Sequence, residues 1–286
     1  MLSFVGSMNQ LNEISLGPLH LGAGNPLFLI AGPCVIESEA HARMIAEKVL
    51  RIASDAGVPY IFKASYDKAN RSSVNSFRGP GLTEGAEILG KIRNQLKVPI
   101  LTDIHESDHA AHAAEVADIL QIPAFLARQT DLLVAAGKTG RIINIKKPQF
   151  VSPADMKNVV EKVVSTGNSK IILTERGSSF GYQNLVVDFR GVPQMKKFGY
   201  PVVFDATHSV QLPGGQGHAS GGQPEFIEPL ARAAVAVGVD GLFLETHDDP
   251  AAALSDGANA LPLSQLSALL ARMKELSNLV RKWDPQ

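Results

Sequence analysis

The chain has 286 residues, 45% of them hydrophobic and 19% charged, with a formal net charge of −1. That length allows two domains or one α/β barrel, and it is enough to bury a large core without disulfide or metal staples. The near-neutral balance excludes an electrostatic footprint for nucleic acid or an anionic membrane, so any affinity for anions must come from local Lys and Arg clusters.

The N-terminal MLSFVGSMNQ has no basic segment and only a very short apolar run, unlike a secretory signal. Residues 8–26 (MNQLNEISLGPLHLGAGNP) are expected to form a short hairpin that plugs the bottom of a barrel. Eight short apolar runs then recur: LFLIAGPC (27–34), PYIFKAS (59–65), PILTDIH (99–105), ADILQIPA (117–124), IINIKK (142–147), KIILTER (170–176), YPVVFDATH (200–208) and GLFLETH (241–247). Each is nearly continuous in apolar residues, as in strands buried on both faces. Amphipathic stretches separate them. AHARMIAEKVLRIASDAG (40–57) ends in Gly, and SPADMKNVVEKVVSTG (152–167) opens with Ser152 as a cap and Pro153 as first helical residue. LSQLSALLARMKELSNLVRKW, after Pro262, reads as a closing helix.

Eight strands alternating with helices predict parallel βαβ units. The expected fold is one (β/α)8-barrel domain spanning 1–286, with 1–26 as an N-terminal extension. A doubly wound open sheet is the competing architecture. Its GxGxxG fingerprint would follow the first strand, where this chain reads AGPCVIES. The Gly-rich GGQGHASGGQ (214–223) lacks the GK[ST] of a phosphate loop and reads as a mobile loop over the barrel mouth. No stretch approaches about 18 apolar residues, so no transmembrane helix is expected. The single cysteine cannot form an internal disulfide and suits a reducing compartment, so the cytoplasm is the expected location.

Nearly every predicted strand ends in a polar or reactive residue. These are Cys34, Lys63, Asp103 with His105, Lys146, Arg176, Asp205 with His208, and Glu245 with His247, with Arg128 just after the fourth strand. In a barrel these ends converge on the face that carries active sites. Lys63, Lys68, Arg71, Arg128, Lys146 and Arg176 would share that mouth, which predicts substrates bearing several negative charges. Cys34, His208, Glu245 and Asp256 can meet across the barrel closure. Sulfur, imidazole and carboxylate together suit one divalent ion such as Zn²⁺, Fe²⁺ or Mn²⁺, although a lone Cys is more often a small buried hydrophobe. His109 and His112, in a helical HAAHAAE run, read as solvated.

The segments IAGPCVIES (30–38), FKASYDKANRSSVNSFRGPGL (62–82), TDIHE (102–106), QIPAFLARQTDLL (121–133), NIKKPQF (144–150), LTERGSSFGYQNLVVDFR (173–190), FDATHSVQLPGG (204–215), GLFLETH (241–247) and ALPLSQL (260–266) resemble the 3-deoxy-D-manno-octulosonate 8-phosphate synthase family, also called 2-dehydro-3-deoxyphosphooctonate aldolases. The resemblance runs from about residue 25 to the end. It implies condensation of phosphoenolpyruvate with D-arabinose 5-phosphate and water, giving an eight-carbon 3-deoxy-2-keto acid phosphate and inorganic phosphate for lipopolysaccharide synthesis. It also implies a homotetrameric barrel.

Residue by residue, the resemblance places Lys63, Lys68, Lys146 and Arg176 around phosphoenolpyruvate. It places Arg128 near the phosphates, in the family sometimes across a subunit interface. Asn70, Arg71 and Ser72 fall in the motif that holds the pentose phosphate, and Gln149 lines the pocket. Cys34, His208, Glu245 and Asp256 match the metal positions. A metal-free branch of the family carries Asn in place of Cys34, so the cysteine implies the metal-dependent branch. Asp103 and His105 are candidates to relay a proton, beside Lys63 and Lys146 as catalytic cations. The nearest rival is the sister enzyme that uses erythrose 4-phosphate, whose pentose-site counterpart reads KPRTS where this chain reads KANRSS. Two further rivals are a Schiff-base aldolase using Lys63 or Lys146 as nucleophile and a non-catalytic sugar-phosphate-binding barrel.

Overall fold

A computed structural model describes residues 12–70, 73–212 and 221–283. Eight parallel strands run through them: β1 (Phe28–Gly32), β2 (Tyr60–Lys63), β3 (Ile100–Asp103), β4 (Ile119–Ile122), β5 (Ile142–Lys146), β6 (Ile171–Glu175), β7 (Val202–Asp205) and β8 (Gly241–His247). Each pairs in parallel with its sequence neighbours, and β8 pairs with both β7 (Val203 opposite Gly241) and β1 (Gly241 opposite Phe28). The sheet therefore closes into the expected barrel, and the open sheet is excluded. The helices α1 (Glu39–Ala56), α2 (Leu82–Leu96), α3 (His109–Val116), α4 (Thr130–Lys138), α5 (Met156–Val164), α6 (Gly191–Lys196), α7 (Ile227–Ala236) and α8 (Leu263–Trp283) follow the strands in turn.

Strand side chains alternate between two sides, and this alternation divides the core. One set, including Leu29, Ala31, Phe62, Leu120, Ile143, Leu173 and Phe204, packs outward against the helices. The other set faces the barrel axis: Phe28, Ile30, Ile61, Leu101, Ile119, Ile142, Ile172, Val203 and Phe243. The next inward position on most strands is polar: Lys63, Asp103, Gln121, Asn144, Thr174, Asp205 and Glu245, all buried. The barrel is thus oily at its N-terminal end and charged at its C-terminal end. The close approach of β1 and β2 requires glycine at the end of β1, since a Cβ on Gly32 would lie 2.0 Å from the Lys63 carbonyl oxygen.

The expected hairpin forms from Ile14–Leu16 and Leu19–Leu21, paired antiparallel. Its Ile14, Leu16 and Leu21 join the inward apolar set and stopper the bottom. A lone two-stranded hairpin is marginal in water. Burial of about 1.5–3 kcal/mol per large apolar side chain holds this one in place.

Ser38 caps α1 by accepting from the His41 backbone N–H at 3.2 Å, and Gly57 ends it in the left-handed conformation (φ 60°). The expected start of α5 is corrected: Ser152 and Pro153 precede the helix, which begins at Met156. The Asp155 N–H turns back to both Ser152 O (3.1 Å) and Ser152 Oγ (3.2 Å). This local serine turn competes with the helix over that stretch. Residues 214–220 of the expected Gly-rich mouth loop lie outside the described residues, while Gly221–Gly222 pairs antiparallel with Gln211–Leu212. Among the described residues no helix is long and apolar enough to cross a membrane.

Candidate active site

The charged end of the barrel is built from pairs. Lys63 Nζ, buried on β2, donates to Glu245 Oε1 on β8 at 2.7 Å and to the Cys34 carbonyl oxygen at 3.0 Å. Lys68 Nζ lies 3.8 Å from the same Glu245 oxygen. Lys146, at the end of β5, sits 2.6 Å from Asp205 Oδ2 and 4.0 Å over the Phe243 ring. The cations are therefore partly neutralised from within, by Glu245 and Asp205. Arg176 differs from them. Its Nη2 donates to Gln211 Oε1 at 3.1 Å, while its buried Nη1 has no hydrogen-bond partner among the described residues. A buried guanidinium N–H aimed at no acceptor is costly unless a ligand supplies one.

These contacts set the protonation states. Burial opposes ionisation of Glu245, yet Lys63, His208, Lys68 and Lys146 outweigh it and hold the carboxyl far below its usual range. Burial likewise opposes ionisation of Asp103, but Lys63, Lys68, His105 and Lys146 keep it well below normal. Burial lowers the pKa of Lys146, with Asp205 and Glu245 offsetting only part of that effect.

Of the four expected metal positions, Cys34, Glu245 and Asp256 offer ligand atoms within 4.8 Å of one another. Cys34 Sγ lies 3.4 Å from Asp256 Oδ2 and 2.9 Å from Ser255 Oγ. His208 is next to them: its Nε2 is 3.6 Å from Glu245 Oε2, while its Nδ1 faces Asp205 Oδ2 at 2.7 Å. Asp256 reaches this position from a left-handed backbone (φ 49°). Burial, then Asp256 and Glu245, push the Cys34 thiol far above its normal pKa. A thiol buried between two carboxylates is poorly placed as a bare thiolate but well placed as a ligand, because a cation would repay all three anions at once. The S, N, O donor set fits a borderline divalent ion. The Asp205 carboxylate behind His208 Nδ1 is the usual partner of a liganding imidazole.

A buried ladder missed by the sequence reading runs beside the charged groups. Asp103 accepts from Ser65 Oγ and from Gln121 Nε2 (2.5 Å), Gln121 Oε1 accepts from Asn144 Nδ2 (2.7 Å), and Asn144 Oδ1 accepts from Thr174 Oγ1 (2.7 Å). It crosses β2 to β6 and fixes Asp103 at the mouth. Its signal was an uncharged polar residue inside each apolar run: Gln121 in ILQI, Asn144 in IINIK and Thr174 in IILTE.

The remaining expected residues fall variously. His105 is half-buried, packs edge-on against Tyr66 at 5.5 Å, and leaves Nδ1 without a hydrogen bond among the described residues. Burial lowers its pKa, so the ring is neutral near neutral pH. Gln149 Oε1 is buried and likewise lacks a hydrogen-bond partner among the described residues. Asn70 and Arg128 are exposed, and Arg71 and Ser72 lie outside the described residues. His247, grouped with Glu245 in the sequence reading, lies instead beside Glu37 and His41. His109, expected to be solvated, hydrogen-bonds Tyr66 Oη at 3.1 Å through Nδ1.

A model of the DAHP synthetase I family matches residues 9–282. Among curated proteins, a Trichlorobacter lovleyi 2-dehydro-3-deoxyphosphooctonate aldolase is 60% identical over 269 residues, covering 94% of this chain and 99% of the relative. A Geotalea uraniireducens protein of the same name is 59% identical over 272 residues, covering 95% and 100%. A third, from Geobacter metallireducens, is 58% identical over 269 residues, covering 94% and 99%.

Proposed function

The chain belongs to the DAHP synthetase I family, and from that premise we propose that it condenses phosphoenolpyruvate with D-arabinose 5-phosphate and water. The products are 3-deoxy-D-manno-octulosonate 8-phosphate and inorganic phosphate. The observation that carries this reading is identity of 57–60% along nearly the whole chain to relatives named for that activity. The cation-rich barrel mouth supports it.

C3 of phosphoenolpyruvate supplies the electron pair that forms the new bond to the aldehyde carbon, and the aldehyde oxygen gains a proton. Water adds at C2 and loses a proton. The C2–O bond to the phosphoryl group then breaks, leaving a ketone and inorganic phosphate. Arg176, Lys146 and Lys68 bind the carboxylate and phosphate and hold C3 against the aldehyde. Lys63 and Lys146 stabilise the charge that develops, without rearranging. Asp103 and His105 are the proposed relay: neutral His105 takes the proton lost by water, while Asp103, held ionised with both oxygens already accepting hydrogen bonds, is a weak base and supplies a fixed negative charge beside it. Gln149 lines the pocket, and Asn70, Arg71 and Ser72 bind the pentose phosphate. The exposure of Arg128 suits a residue that reaches phosphate across a subunit interface, in a homotetramer working in the cytoplasm.

Cys34, His208, Glu245 and Asp256 would hold a divalent ion, which when bound supplies polarisation of the aldehyde or of water. Glu245 Oε1 accepts from Lys63 while Oε2 faces His208, so the one carboxylate can serve the ammonium and would still offer an oxygen to that ion.

The test uses phosphoenolpyruvate labelled with ¹⁸O at the bridging oxygen, mixed with arabinose 5-phosphate. Label in the released phosphate, with an eight-carbon keto acid phosphate by mass, supports the reading. Unlabelled phosphate or no condensation product overturns it.

A further inference from the structure

Beside the Cys34 group, a second set of ligand-type side chains occupies the junction of the β1–α1 loop, the first turn of α1 and the end of β8. Glu37, His41 and His247 each offer a ligand atom within 4.8 Å of the others. The two rings lie 4.6 Å apart between centroids. Both lean on one carboxylate oxygen: Asp248 Oδ1 is 3.0 Å from His41 Nε2 and 3.3 Å from His247 Nδ1. The opposite nitrogens, His41 Nδ1 and His247 Nε2, are buried and make no hydrogen bond among the described residues. His247 is only 5% exposed, and Glu37 Oε1 lies 3.3 Å from its Nε2.

We propose that Glu37, His41 and His247 form a second divalent-metal site, suited to Zn²⁺ or a similar borderline ion, with Asp248 as the carboxylate behind both rings. Imidazole and carboxylate are ordinary ligands for such an ion. A liganding histidine characteristically presents its other nitrogen to a carboxylate, which fixes the ring and raises its basicity. Here one carboxylate serves both rings and leaves one nitrogen of each ring uncommitted. His247 Nδ1 also accepts from the Asp249 N–H at 3.0 Å. Metal binding at Nε2 therefore moves the ring proton to Nδ1, facing Asp248, and releases the Asp249 N–H. Glu37 Oε1 accepts from the Leu254 N–H at 2.8 Å. An ion at this site thus ties the β8–α8 loop, which carries Asp256, to the β1–α1 loop, which carries Cys34.

Metal-stripped protein is titrated with Co²⁺ and with Zn²⁺, counting bound equivalents, for wild type, His41→Gln, Asp248→Asn and Cys34→Ala. Wild type binds two equivalents and His41→Gln binds one. The thiolate-to-cobalt charge-transfer absorption marks the Cys34 site alone, persists in His41→Gln and vanishes in Cys34→Ala, which still binds the second equivalent. His41→Gln keeps wild-type turnover within about twofold. Asp248→Asn, which leaves all three ligands in place, weakens the second equivalent roughly 10- to 100-fold. Equal stoichiometry in wild type and His41→Gln overturns the site. So does an Asp248→Asn protein whose second equivalent binds as tightly as in wild type.

Discussion

Lys63 and Glu245 form a fully buried ion pair at 2.7 Å that joins the candidate substrate side of the barrel mouth to the candidate metal side. The same ammonium holds the Cys34 carbonyl. Removing one partner of a buried pair leaves an uncompensated charge, at a cost of about 3–5 kcal/mol. For Lys63→Met the nearby Lys68 moderates that loss, so the expected destabilisation is at the low end, with turnover nearly abolished. Denaturant unfolding and steady-state rates on the same sample check both. Full activity in Lys63→Met would remove Lys63 from the mechanism.

Arg176→Lys keeps a charge but loses the planar fork whose Nη1 has no hydrogen-bond partner among the described residues. Losing one charge-assisted contact of about 1.5–3 kcal/mol weakens phosphoenolpyruvate roughly 10- to 150-fold, with a smaller effect on the sugar phosphate. Substrate titrations of the variant measure the split. Equal losses for both substrates would show that Arg176 does not serve phosphoenolpyruvate in particular.

A chelator should abolish turnover, and a divalent ion should restore it. Cys34→Ala should bind this ion poorly yet stay folded, because the barrel's stability rests on its two apolar layers. Cys34→Asn should retain measurable activity that no chelator removes, since its amide can hydrogen-bond water or substrate where the ion would sit. Metal content and rate before and after chelation read this out. A stripped wild type turning over at full rate would make Cys34 a packing residue.

Asp103 supplies a pH signature. Its folded pKa is held below the unfolded value of about 3.9. Above that value both states are ionised and the stabilisation is complete. As pH falls below about 4, the unfolded chain takes up the proton first, so stability drops toward the folded pKa. Asp103→Asn should flatten this acid limb in unfolding experiments between about pH 2 and 4. An unchanged limb would mean that other carboxylates carry it.

The legibility of the fold in the sequence follows from periodicity. Runs such as FLIAG and GLFLETH announce strands buried on both faces, and polar residues at or just after the strand ends, such as Cys34 and Glu245, mark the candidate active face. The hairpin plug was readable because Ile14, Leu16 and Leu21 are apolar at alternating positions. Gln121, Asn144 and Thr174 were not singled out because one polar residue inside an apolar strand resembles noise until the register aligns them into a ladder. The internal pairing of Lys63 and Lys146 depends on which inward side chains meet in the closed barrel from strands that are not paired with one another, β2 with β8 and β5 with β7. The turning of His247 toward His41 likewise depends on the closed fold, since the two residues are 206 positions apart in the sequence but have rings in contact. Linear spacing encodes none of these three.

The most direct measurement is phosphate release from phosphoenolpyruvate with arabinose 5-phosphate or erythrose 4-phosphate, run side by side on one metal-replete preparation. The KANRSS segment at 68–73 underlies the expected preference, with Lys68 at its head 3.8 Å from Glu245. The expected result is rapid release with the pentose phosphate and at least about 100-fold lower kcat/KM with the tetrose phosphate, a difference of roughly 2.7 kcal/mol. Comparable rates with the two sugars, or release that needs neither, would contradict it.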